Sequence, residues 1–160
     1  MWKELGAANP DPKLHGELAA RYGEPHRKYH TLQHLEECFE KLDEVRTLAE
    51  HPAEIDLALW FHDAIYNVKR RPIPRGTDAE ILVDVDLSIL GAAPERFDEF
   101  ERQVREEYAW VPDFLFRRER RTILKEFLAR TRIFSSAHFR GRYEQQARSN
   151  IERSLGRLGA

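Results

Sequence analysis

The chain is 160 residues long, 41% hydrophobic and 34% charged, which predicts a single domain over residues 1–160 with enough chain for a core, and excludes a disordered polymer. Its formal net charge of −2 argues against nucleic acid or an anionic membrane as a partner, and no apolar run nears the roughly 20 residues a bilayer span needs. The single cysteine, Cys38, leaves no internal disulfide, and Met1-Trp2-Lys3-Glu4-Leu5 lacks the apolar core of a secretory signal, so a reducing cytoplasm is expected.

Asp11-Pro12 opens a helix that Leu14, Leu18 and Tyr22 continue at four-residue spacing and Gly23 ends. A polar connector follows, where Pro25 disfavours helix at Glu24. Thr31 is placed to cap a second helix running to about Ala49, with Leu35, Cys38, Leu42 and Val45 as its apolar stripe and His34 beside it. Pro52 begins a third helix, apolar on most sides and therefore buried. Ile55, Ala58, Leu59, His62, Ile65 and Tyr66 share a face of it, and Asp63 lies about 100° around from His62.

Residues 67–76 form the clearest break, basic and containing Pro72 and Pro74. Thr77 and Glu80 have the spacing of a capping box for a fourth helix. Ile81, Leu82, Val85 and Ile89 make its apolar side, which Asp86 shares, while Asp84, about 200° around, is expected to point elsewhere. Gly91 stops it. Pro94 starts a fifth helix with Phe97, Phe100, Val104 and Tyr108, and Trp110 is expected to pack the corner after it. Pro112 starts a sixth, whose core would come from Phe114, Leu115, Leu124, Phe127 and Leu128. Ser136 caps a seventh, carrying Phe139, Tyr143, Ala147, Ile151 and Leu155. A short strand over residues 81–86 is the one competing β reading, and its flanks favour helix. The expected fold class is all-α, a helical bundle of about seven helices.

Three segments set imidazoles and carboxylates beside core-type residues: His30 with His34, His62 with Asp63, and Asp84 with Asp86. A carboxylate in such surroundings needs a partner. Mixed His/Asp donors suit a divalent metal ion, Mn, Mg, Fe, Co or Zn. The candidate ligands are His34, His62, Asp63 and Asp86. An ion held this way polarises a phosphoryl oxygen and brings the pKa of a bound water toward about 7. His30, just before its helix, is the candidate general acid for the departing oxygen, and Asp63 is counted with it among the catalytic candidates. Lys69, Arg70 and Arg71 are candidates for holding a phosphate, since guanidinium pairs well with its oxygens. His15, His26, His51 and His138 read as surface histidines, and Cys38 as a small buried apolar group.

These residues lie in segments that resemble the bacterial predicted metal-dependent phosphohydrolases of the HD superfamily. The resemblance is carried by a YHxxxH segment at 29–34, ALWFHDAIY at 58–66, DVDLSILG at 84–91, REEYAWVP at 105–112, and RIF at 132–134 followed by ARSN at 147–150. It runs over roughly residues 14–158. It implies an all-helical HD-domain-like bundle that cleaves a small, nucleotide-like phosphoester by metal-activated water, with a small phosphorylated substrate as partner. His34 would be the first metal ligand, His62 and Asp63 the HD pair, and Asp86 the closing ligand. The 29–34 segment is also similar to a motif of the animal cyclic-nucleotide phosphodiesterases, which favours His30 over His26 as proton donor. The same similarity favours Asp86 over Asp84, through Asp86-Leu87-Ser88.

The chain departs from that pattern in one respect. Family members carry several dozen further residues between the HD helix and the DxDLSILG helix, among them another histidine. Here Asp86 follows Asp63 by 23 positions, and none of the residues between is a histidine. Either a segment that belongs near residues 70–76 is missing from the sequence, or the site is truncated. Truncation would favour the alternative function, a non-catalytic HD-like helical domain that binds a nucleotide or a protein. Oligomeric state is left open by the sequence.

Overall fold

A computed structural model describes residues 12–64 and 76–159, and every regular element among them is helical. The seven α-helices are α1 Pro12–Tyr22, α2 Leu32–Val45, α3 Pro52–His62, α4 Thr77–Leu87, α5 Pro94–Glu107, α6 Asp113–Ala129 and α7 Ala137–Gly159. Short 3-10 turns, Arg46–Leu48 and Ser88–Gly91, follow α2 and α4. The all-α class expected from the sequence is the one observed. No strand occurs among the described residues, and residues 81–86 lie within α4. Ile65, Tyr66 and most of the basic break, including the stretch where a segment could be missing, lie outside the described residues.

Local chemistry accounts for most helix ends. Pro52 and Pro94 sit in the first turns of α3 and α5, where a missing N–H costs nothing. Ser136 Oγ accepts a hydrogen bond from the Phe139 amide at 3.3 Å, capping α7. Gly76, with φ of 123°, precedes α4 in a backbone conformation that side chains disfavour. Thr31 occupies the N-cap position of α2 with extended backbone, but its side chain makes no cap bond. Its hydroxyl donates back to the Tyr29 carbonyl at 3.4 Å instead.

The chain divides into two compact units, Met1–Val85 and Asp86–Ala160. In the first, Leu35, Cys38, Leu42 and Val45 of α2 are buried, as are Ile55 and Leu59 of α3 and Ile81 and Val85 of α4. Each such aliphatic side chain contributes about 1.5–3 kcal/mol on burial. Asp78 of α4 ties the start of α3: its carboxylate accepts the Glu50 and His51 amides at 2.7 and 2.9 Å. The division falls inside α4, between Val85 and Asp86. Asp86 is thus carried on a helix whose body belongs to the first unit.

In the second unit, Phe97, Phe100, Leu124, Phe134, Phe139 and Ile151 form the core. Fully buried Asn150 donates to the Leu90 and Ala92 carbonyls, each at 2.9 Å, and holds the 3-10 turn against α7. Asp98 pairs with Arg153 and Arg157. Two sequence expectations fail here. Trp110 is 80% exposed rather than packing a corner, and Phe114 is 69% exposed rather than core. Of the five apolar residues expected to bury α6, only Leu124 is buried.

Candidate metal centre

The C-terminus of α3 leaves backbone carbonyls that need donors, and residues outside the helix supply them. The Tyr22 hydroxyl lies 3.2 Å from both the Leu59 and the Trp60 carbonyl. The buried Arg27 guanidinium donates to the Asp63 carbonyl at 2.7 Å and to that of Ala64 at 3.5 Å. It also reaches the His30 carbonyl at 3.4 Å and pairs with Glu24 at 3.2 Å. A cation at this end complements the helix dipole. The helix stops at His62, and Asp63 is its C-cap with φ −113° and ψ −2°. The Asp63 carboxylate reaches back to the His62 ring.

His62 donates from Nδ1 to the Leu59 carbonyl at 2.6 Å. In the neutral ring this fixes the tautomer and leaves the Nε2 lone pair facing inward. His62 Nε2 lies 3.2 Å from His34 Nε2 and 3.0 Å from Asp63 Oδ2. His34 Nε2 lies 3.4 Å from the same oxygen. The His34 side chain, in the first turn of α2, is 2% exposed, and that of Asp63 is 24% exposed. Asp63 Oδ2 itself is buried and makes no hydrogen bond of normal geometry. Burial pushes the Asp63 carboxyl up, but His34 and His62, with His30 beyond them, outweigh it and hold the group well below the usual carboxylate range.

Three donor atoms thus form a triangle with edges of 3.2, 3.0 and 3.4 Å. Its circumradius is about 1.9 Å, so a point about 2.1 Å from all three exists, the distance zinc keeps from imidazole nitrogen and carboxylate oxygen. The donor set fits a divalent cation in size and in chemistry. Asp86, near the end of α4, is half-buried and opens the second unit. Within the first unit, His34, Cys38 and His62 each offer a donor atom within 4.8 Å of one another, in a group that does not take in Asp63. Asp84, expected to point elsewhere, is fully buried in α4 and stands outside that group.

His30 is half-buried, its ring centroid 6.1 Å from that of His34 and 5.0 Å from that of Tyr29. Lys69, Arg70 and Arg71 lie outside the described residues. His15, His26 and His51 are exposed and His138 is half-buried. Cys38 is buried as expected, but its Sγ stands 3.8 Å from both ring nitrogens of His34, a neighbour the apolar reading did not anticipate. The signal was present: residues four apart on a helix meet on one face, and His34 and Cys38 are so spaced.

No family model, no curated protein and no solved structure matches this chain. The functional reading therefore stands on its own side chains.

Proposed function

We propose that the chain is a metal-dependent phosphohydrolase of the HD type, acting on a small, nucleotide-like phosphoester. The observation that carries the reading is the convergence of His34 Nε2, His62 Nε2 and the buried Asp63 Oδ2 on one cation-sized point. These three residues, with Asp86, would hold a divalent ion. When bound, such an ion supplies Lewis acidity to a phosphoryl oxygen and acidifies water.

The remaining work falls to the chain. The Leu59 carbonyl orients the His62 ring. Arg27 fixes the turn bearing His30 against the cap bearing Asp63. His30 stands beside His34 rather than within the triangle, which suits a proton donor to the leaving oxygen. Lys69, Arg70 and Arg71 are proposed to hold the phosphate.

The test is elemental analysis of purified protein together with a phosphoester panel. Metal should co-purify, and His62→Ala or Asp63→Ala should abolish both metal content and turnover. His30→Gln should keep the metal and lose about 10²–10⁴-fold in kcat. Metal-loaded protein that hydrolyses no member of the panel ends the enzyme reading. The absence of any histidine between Asp63 and Asp86 favours the second reading, a non-catalytic domain. Nucleotide binding without metal would select it.

A further inference from the structure

The net charge of the whole chain averages two unlike halves. Residues 1–85 carry 11 Lys and Arg against 16 Asp and Glu, whereas residues 86–160 carry 15 against 12. The second unit is cationic, so the chain's −2 does not describe what that unit attracts. Several of its arginines are matched by acids: Arg153 and Arg157 by Asp98, Arg148 by Glu144, and Arg120 by Glu101. One face of α6 departs from this practice.

Phe114, Arg118, Arg121 and Lys125 recur along α6 at spacings of four, three and four, with Arg117 alongside, so they share a face. They line an open groove of about 570 Å³ whose far wall is the end of α7. Arg117 donates to the Arg157 and Leu158 carbonyls there, at 3.3 and 3.1 Å, which anchors its guanidinium without cancelling its charge. Arg118 pairs with its neighbour Glu119, both side chains exposed, an arrangement worth little in water. No ion pair engages Arg121 or Lys125 among the described residues. Asp113 is the one acid in the described lining, and it stands 3.5 Å from Arg105. Glu119 and Glu126 fall about 120–140° around the helix from Phe114.

Arg117, Arg121 and Lys125 make a row about 12 Å long, with steps of about 6 Å. Like charges at this spacing repel and weaken the helix, and an anion laid along the row would relieve them. Exposed aromatic surface stands at the N-terminal end of the same helix. Phe114 is 69% exposed, and Trp110, in the turn before α6, is 80% exposed. Cations that track phosphates, beside rings that stack bases, are the means by which proteins hold single strands. An acidic peptide would engage the cations and leave the rings idle. We propose that this face of α6 binds single-stranded nucleic acid, with phosphates along Arg117, Arg118, Arg121 and Lys125 and a base against Phe114. The proposal does not rest on the metal site.

The experiment follows the fluorescence anisotropy of a labelled single-stranded oligothymidylate titrated with the full chain over a series of salt concentrations. Chelator is present, so that a bound metal takes no part. The slope of log K against log salt should be about −2 to −3, as three or four neutralised phosphates give. Replacing both Arg121→Ala and Lys125→Ala should flatten it by about 1.4. Phe114→Ala should weaken binding roughly 5- to 150-fold, the weight of one stacked base, with the slope unchanged. Arg130→Ala, which removes a charge of the same helix outside the groove, should leave affinity and slope as they were. Absence of binding by the native chain at low salt overturns the proposal, whatever the variants do. So does a slope that survives loss of Arg121 and Lys125, or an affinity indifferent to Phe114. Polyglutamate that displaces the strand at equal charge concentration assigns the face to an acidic polypeptide and overturns the proposal as well.

Discussion

At Gly91 a single hydrogen atom in place of a side chain lets two parts of the second unit meet. A Cβ there would lie 2.6 Å from Tyr143 Cβ and 2.9 Å from the Tyr143 carbonyl oxygen. The carbonyl belongs to the α7 backbone and cannot swing away. Gly91→Ala should therefore destabilise the protein by about 1–3 kcal/mol, as overpacked sites do. Gly141, inside α7, has nothing within 4 Å of such a Cβ, so Gly141→Ala should stabilise by about 1 kcal/mol through helix propensity. Denaturant unfolding of the two variants checks both signs. The sequence showed Gly91 as a helix stop, and the structure gives it a second duty that no local pattern encodes. Cys38 teaches a similar lesson. Its burial was legible from the stripe on α2, whereas a thiol against carbon and a thiol against an imidazole are the same letter in the sequence.

The junction of α3 and α4 makes a prediction in pH. Asp78 accepts two amides and stands 3.0 Å from His51 Nδ1. Burial raises the Asp78 carboxyl, but those amides and His51 more than offset it, and the net shift is downward from 3.8. The bond to Asp78 raises His51 above 6.5. A depressed carboxyl contributes stability above its unfolded pKa and loses it as pH falls through the folded one. A raised histidine contributes fully below its unfolded pKa and loses it as pH rises through the folded one. Both contributions are complete between 3.8 and 6.5. Hydrogen-exchange protection of the Glu50 and His51 amides, corrected for intrinsic rates, should be greatest in that window and fall on both sides. Asp78→Asn should flatten the profile. Helix ends were the legible part of each element, because Pro52, Pro94 and Ser136 act on their own backbone. Which face of α6 would be covered was not legible. Its apolar residues look like core, but burial depends on what the rest of the chain lays over them, and Phe114 is left exposed.

Across the whole molecule, the all-α class followed from periodicity and punctuation repeated along the chain. The division at residue 85 has no signature in composition, since it falls within α4 rather than in a linker. The triangle of His34, His62 and Asp63 joins α2 to the end of α3 across nearly thirty residues of sequence. The histidine pair was legible as types beside apolar positions. The Arg27 hydrogen bond to the Asp63 carbonyl was not, because it comes from a turn distant in sequence. An ion at this triangle binds only the folded arrangement. At 100 times its dissociation constant it should add about 2.7 kcal/mol to unfolding. Thermal unfolding with zinc and with chelator should differ accordingly in the native chain, and the difference should vanish in His62→Ala. No helix among the described residues is long and apolar enough to cross a membrane.

Asp63 is gripped at both ends. Its main-chain oxygen is held by Arg27 at 2.7 Å, and its carboxylate faces two imidazoles. Arg27 in turn closes its own turn, its backbone N–H donating a hydrogen bond to the Glu24 carbonyl at 3.0 Å. A residue held in this way works as a latch. Loosening the 24–30 turn would therefore free the carboxylate as well, so Arg27→Ala should speed the release of a bound ion that the guanidinium itself would not touch.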